Sequence, residues 1–225
     1  MIAQKPKAAI SWSGGKDSCA ALHRACALYD VVAMITMVDD VGARSRSHGL
    51  RPEILDAQAE RLGLRRIVGR CDWSTYDAAF SQALETLAMD DRVTHVVFGD
   101  ILFDEHRQWA EQMCHRNGLT AVEPLFGSST EALFLEWVDS GADAMIVTAR
   151  HGPLDETWLG RSLCRGMLEE FRTLGVDPCG ERGEYHTVVT NSPLFREPLD
   201  VRTGTRVRRS GCWALDLEVG DAPRA

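Results

Sequence analysis

Six consecutive residues, Ser13-Gly14-Gly15-Lys16-Asp17-Ser18, have the types and spacing of a phosphate-binding loop. The short apolar run Ala8-Ala9-Ile10-Ser11-Trp12 leads into them, and a helical pattern from about Asp17 to Tyr29 leads out. Adjacent glycines permit unusual dihedrals and close backbone approach. Exposed N–H groups at a helix start, with the positive end of the helix dipole, attract an anion. Lys16 adds a point charge, while Ser13 and Ser18 add hydroxyl donors. Asp17 either caps the helix or helps hold a metal ion. The spacing is neither GxxxxGK[ST] nor GxGxxG.

A second concentration of polar chemistry is Cys179-Gly180-Glu181-Arg182-Gly183-Glu184-Tyr185-His186. On residue types alone, Glu181, Glu184 and His186 read as a turn held by side-chain hydrogen bonds. In a functional reading they bind a ligand or manage protons near neutral pH. Cys179 has no activating partner in the sequence, which argues against a thiol nucleophile. Asp100 ends a strong strand candidate, either as a turn residue or as a magnesium or acceptor ligand. Arg107 and Arg161 are able to meet a phosphate or carboxylate, or to stay solvated on helices. Asp39-Asp40 reads as a strand terminus in preference to a ribose contact.

These groups need elements to position them. Strand candidates are 31–38, 66–68, 95–98, 120–124 and 144–148, alternating with helical patterns over 52–62, 76–89, 105–116 and 130–139. Ser128 or Ser129 is the N-cap of the last of these. The alternation predicts an α/β fold: a parallel sheet with helices on both faces and ligand loops at the strand C-termini. After about Arg150 the rhythm changes. A helix is expected over 159–174, then strands over 187–190 and 213–219 pairing as a hairpin, then a frayed tail over 220–225. The reading is therefore a domain carrying the phosphate loop over 1–150 and a smaller C-terminal α+β lobe over 151–225.

Composition narrows the class. The 225 residues carry a formal charge of -8, which argues against generic nucleic-acid binding. Seven scattered cysteines without a CxxC pair read as reduced thiols of a cytoplasmic protein and suggest no zinc site. No apolar stretch approaches the ~20 residues that span a bilayer, and no signal-peptide pattern precedes the loop.

SGGKDS resembles the PP-loop signature of the adenine-nucleotide α-hydrolase-like superfamily, whose members cleave ATP between the α and β phosphates. Further along, Gly99-Asp100-Ile101 with Arg107, Gly118-Leu119, Glu123-Pro124-Leu125-Phe126, Leu159-Gly160-Arg161, Pro178–His186 and Asn191-Ser192-Pro193-Leu194-Phe195 follow the layout of the diphthine–ammonia ligase family. His48-Gly49 and Gln58-Ala59-Glu60 fit it as well. The resemblance implies a HUP-type (Rossmann-like) nucleotide fold and an ATP-dependent ligase that adenylates a carboxylate for amidation by ammonia. It implies ATP and magnesium on Ser13, Gly14, Gly15, Lys16, Asp17 and Ser18, with Asp17 and Asp100 as metal ligands. Adenine is read by backbone near Thr36 and Met37, and His48 lies at a site position. Lys16, Asp100, Glu184 and His186 are the catalytic candidates; Arg107, Arg161, Glu181 and Glu184 are the acceptor-binding ones. The acceptor is a small-molecule or protein-bound carboxylate, and a homodimer is the default assembly.

Two departures stand out. Glu181–Thr187 reads ERGEYHT where the diphthamide branch shows EGGEYET, so His186 replaces a Glu, as in bacterial-type members. Gly127-Ser128-Ser129 stands where relatives carry an Arg-Asp pair. Competing readings are the same chemistry on another acceptor, for example in cobalamin salvage, and a nucleotide sensor without turnover. Sulfur transfer to RNA is disfavoured by the lack of paired cysteines and by the net acidity.

Overall fold

Strands β1 (Lys7–Ser11), β2 (Asp30–Val38), β3 (Arg65–Arg70), β4 (His95–Val97) and β5 (Thr120–Val122) form one parallel sheet in the order β3-β2-β1-β4-β5. The computed structural model describes residues 4–209 and 211–220, so 221–225 of the expected frayed tail lie outside the described residues. Ala9, Ala33 and Ile35 point to one face, where they pack with Phe80 and Leu84 of α3 (Tyr76–Thr86) and Ala110, Met113 and Cys114 of α4 (Asp104–Arg116). The alternate residues Ala8, Ile10 and Met34 face the other way and are equally buried. Burial on both faces explains why these strands read as apolar runs and not as strict alternation. Right-handed crossovers put α1 (Lys16–Ala25) on the face opposite α3 and α4. Strand order reverses between β1 and β4, so the loops leaving them flank the switch point where α/β sheets take ligands.

The chain divides into two compact units. The first holds the described residues up to Ser13, then Asp17–Ser47 and Gly63–Gly127; the second holds Gly14–Lys16, His48–Leu62 and Ser128 onward. The second unit carries a smaller antiparallel sheet, order β7-β6-β9-β8, of β6 (Asp143–Arg150), β7 (Tyr185–Asn191), β8 (Val201–Arg209) and β9 (Cys212–Val219). It also holds α2 (Pro52–Leu62), α5 (Thr130–Asp139) and α6 (Met167–Leu174). Phe171 of α6 is fully buried against Phe134, Trp158 and Tyr185, with ring centroids 5.7, 5.3 and 5.2 Å away.

Several expectations change here. Strand 144–148 does not extend the parallel sheet; as β6 it pairs antiparallel with β7 and β9. The expected hairpin partners, 187–190 and 213–219, flank β6 and do not pair with each other. The hairpin is β8 with β9, and β8 escaped the sequence reading because its arginines and threonines make a largely exposed edge strand. The helix expected over 159–174 shortens to α6, preceded by a single 3-10 turn at Glu156–Trp158. Of the two N-cap candidates for α5, Ser129 takes the role: its hydroxyl accepts the Ala132 N–H at 3.3 Å.

Candidate active site

In the second unit the loop Gly14–Lys16 is built into its surroundings by backbone bonds. The Gly14 carbonyl accepts the Val189 N–H at 2.9 Å and the Gln58 Nε2–H at 3.0 Å. Gln58 is fully buried and also donates to the Val189 carbonyl at 2.8 Å, clamping loop and β7 together. Gly14 has φ 89°, the left-handed region that favours glycine, and a Cβ there would press on Leu50, Leu55 and Gln58. A Cβ on Gly15 would collide with the His48 ring. The glycine pair is thus required by close packing inside the protein.

Lys16, 3% exposed, is held twice. Its backbone N–H donates to Thr187 Oγ1 at 3.1 Å. Its ammonium donates to the Cys179 carbonyl and lies 5.2 Å from the Tyr185 ring centroid. His48 Nδ1 meets the Thr187 carbonyl at 2.7 Å. A carbonyl only accepts, so the proton sits on Nδ1 and the neutral ring keeps a lone pair on Nε2. Burial lowers the His48 pKa to about 4; the Thr187 bond opposes that, and the Lys16 charge adds to it. His186 stacks on His48 with centroids 4.6 Å apart. Gly15, Lys16, His48, His186 and Thr187 therefore form one polar group.

The turn beside them is held by carboxylates. Glu184 is buried and accepts the Arg182 N–H at 3.0 Å and the Asp177 N–H at 3.4 Å. Asp177 accepts the N–H groups of Cys179 at 2.8 Å and Glu181 at 3.3 Å. The Cys179 thiol donates to the Thr130 carbonyl at 3.3 Å. The Arg161 guanidinium grips Glu170 through two bonds of 2.9 and 2.6 Å and lies over Trp158, so its position is fixed within its own lobe.

The first unit carries the other loop residues. Ser13 and Ser18 hydroxyls stand 3.2 Å apart. Gly99 runs tightly against the start of α1: a Cβ on it would sit 2.9 Å from the Asp17 carbonyl carbon and the Ser18 nitrogen. Asp100 follows, bonded to His106 Nδ1 at 3.1 Å. Burial raises its pKa; His106 opposes the rise and the Asp17 charge adds to it. Arg107 reaches Glu111 at 2.9 Å and Glu123 at 3.7 Å, and lies over the Phe126 ring. Thr36 is buried and its hydroxyl accepts from Arg66 Nε at 2.8 Å, while Met37 packs over Gly69 and its carbonyl accepts the Arg46 N–H. Asp39 accepts the Ala43 N–H at 2.6 Å, the geometry of a strand-ending turn.

In the second unit the buried Lys16 ammonium, and in the first unit the Ser13 and Ser18 hydroxyls at the start of α1, are each donors that suit phosphate oxygens. No group of three metal-ligating side chains occurs among the described residues. The sequence reading did not assign a site role to Thr187, Gln58 or Glu123. All three carried a signal, as polar residues inside the motifs quoted for the family resemblance.

The diphthamide synthase N-terminal domain family matches residues 6–121, and the diphthamide synthase C-terminal domain family matches residues 129–218. The chain belongs to the diphthamide synthase family. Relatives named diphthine–ammonia ligase include one from Danio rerio, 30% identical over 217 residues, covering 83% of this chain and 83% of that protein. The Rattus norvegicus protein is 28% identical, covering 88% and 84%. The Schizosaccharomyces pombe protein is 29% identical over 82% of this chain, and the chain spans only 34% of its length. A solved structure titled as a predicted subunit of a tRNA methyltransferase from Methanocaldococcus jannaschii covers 83% of this chain and 98% of its own, with 16% identity and a TM-score of 0.44. The family is one of ATP-dependent ligases that form an amide bond. Among the described residues no helix is long and apolar enough to cross a membrane.

Proposed function

We propose that this chain uses ATP to activate a substrate carboxylate, which ammonia converts to an amide with release of AMP and pyrophosphate. One observation carries the reading. Within the second unit, the lysine of the phosphate loop is bonded at its backbone to Thr187 and at its ammonium to Cys179, the two flanks of the Glu181–His186 turn. The loop and the turn are therefore neighbours, as transfer from nucleotide to acceptor requires.

The chemistry follows from the groups present. A carboxylate is a poor electrophile; AMP attached to its oxygen makes a good leaving group. The Lys16 ammonium carries three donors and offsets charge on the departing pyrophosphate. Glu184 keeps the turn in shape, and neutral His48 offers an Nε2 acceptor without adding charge. A magnesium ion takes one or two carboxylates plus phosphate oxygens, and we assign Asp17 to it; its chemistry is to neutralise the pyrophosphate. The seven free cysteines suit a cytosolic enzyme.

By the relatives' name the acceptor is diphthine on its carrier protein. A second reading, another carboxylate, is favoured by His186: it stacks on His48, where an acidic side chain would add negative charge. The test is α-labelled ATP with ammonium and the diphthine-bearing protein or other candidate carboxylates. Acceptor-dependent AMP and pyrophosphate, reduced about 10²-fold or more in Lys16→Ala, support the reading. ADP as product refutes it, and binding without cleavage for every acceptor favours the sensor.

A further inference from the structure

Glu123 leaves β5 at the C-terminal edge of the parallel sheet, and the Phe98 N–H donates to the Val122 carbonyl at 2.9 Å just before Gly99-Asp100. Its side chain is only 7% exposed. One carboxyl oxygen, Oε2, lies 3.7 Å from Arg107 Nε, longer than a hydrogen bond. The other, Oε1, is buried with no hydrogen-bond partner. A buried carboxyl oxygen left unmade costs free energy and calls for a ligand or water. The charged and titratable neighbours are Asp100, Arg107, Glu111 and Cys114, and Arg24 donates to the adjoining Pro124 carbonyl at 2.9 Å. Two carboxylates, Asp100 and Glu123, thus end adjacent strands beside the switch point, which suits a small monovalent cation able to donate hydrogen bonds.

Building on the amide-forming reading, we propose that Glu123 binds ammonium and takes the proton that turns it into the nucleophile. Ammonium has no lone pair. Transfer of one N–H proton to Oε1 leaves ammonia and a neutral carboxyl group. The nitrogen lone pair then forms the C–N bond at the activated carbonyl carbon, and the bond from that carbon to the AMP oxygen breaks with its electron pair. The addition product sheds a second proton to solvent, and Glu123 returns the first there. Oε1, buried and without a hydrogen-bond partner, is the atom placed to receive that proton.

The test compares wild type and Glu123→Gln with two nucleophiles at neutral pH, using ATP and the diphthine-bearing protein. Hydroxylamine is already the free base there and needs no proton acceptor. The expected result is an ammonium-dependent rate down about 10²-fold or more with hydroxamate formation within about threefold of wild type. Equal losses with both nucleophiles, or no loss with either, overturn the proposal. If wild type forms no AMP with any acceptor, the amide-forming reading fails separately. The Glu123 carboxyl resonance still decides binding: ammonium chloride must lower its titration midpoint relative to tetramethylammonium chloride, and an unchanged midpoint overturns the proposal.

Discussion

Replacing His48 by Asn removes a titrating ring while keeping an N–H donor near the position of Nδ1, opposite the Thr187 carbonyl. The folded protein holds the imidazole neutral, with its pKa lowered from 6.5 to about 4 by burial and by Lys16. The unfolded chain binds its proton near the ordinary value, so the unfolded state takes up more protons as pH falls. The stability His48 contributes is therefore fully present above the unfolded pKa and is lost as pH falls towards the folded one. Linkage gives a loss of about 1.4 kcal/mol at about pH 5.5 and about 2 kcal/mol at about pH 5. Urea unfolding of both proteins across this range measures the difference, in which the other acid-sensitive groups cancel. The wild type is expected to lose stability faster than His48→Asn by those amounts. Parallel curves would refute a partly buried, neutral imidazole at this position.

Gly99→Ala is expected to cost about 1–3 kcal/mol by overpacking, because the new methyl meets the Asp17–Ser18 backbone, which cannot rotate aside. Thermal unfolding reads this as a drop of roughly 2–4 °C per kcal/mol, accompanied by weaker ATP binding in calorimetry. Phe171→Ala empties the aromatic centre of the second unit and is expected to cost about 3–5 kcal/mol in denaturant unfolding. Its effect on the Tyr185 ring, 5.2 Å away, should also disturb the turn that holds Lys16.

The local code was legible in the sequence wherever one stretch of chain decides its own structure. The phosphate loop, the parallel strands and the helices at 52–62 and 130–139 follow from glycine placement, apolar runs and caps, which act over a few residues. The family follows from motifs of the same short range. Pairing partners are another matter. Strand 144–148 carries the same apolar signal whether it continues a parallel sheet or opens an antiparallel one, and only its bonds to β7 and β9 decide. β8 carries little apolar signal because an edge strand exposes its side chains and gains order from its partner β9. The site shows the same division. Residue types singled out Lys16, and the family resemblance singled out His48, Glu184 and His186, but neither said what they do to one another. That the Thr187 carbonyl fixes the His48 tautomer and that one oxygen of Glu123 is buried without a partner depend on residues distant in sequence, while Glu184 staples its turn through neighbours only two and seven residues away. Desolvation and hydrogen-bond geometry set those properties, and both exist only once the chain has folded.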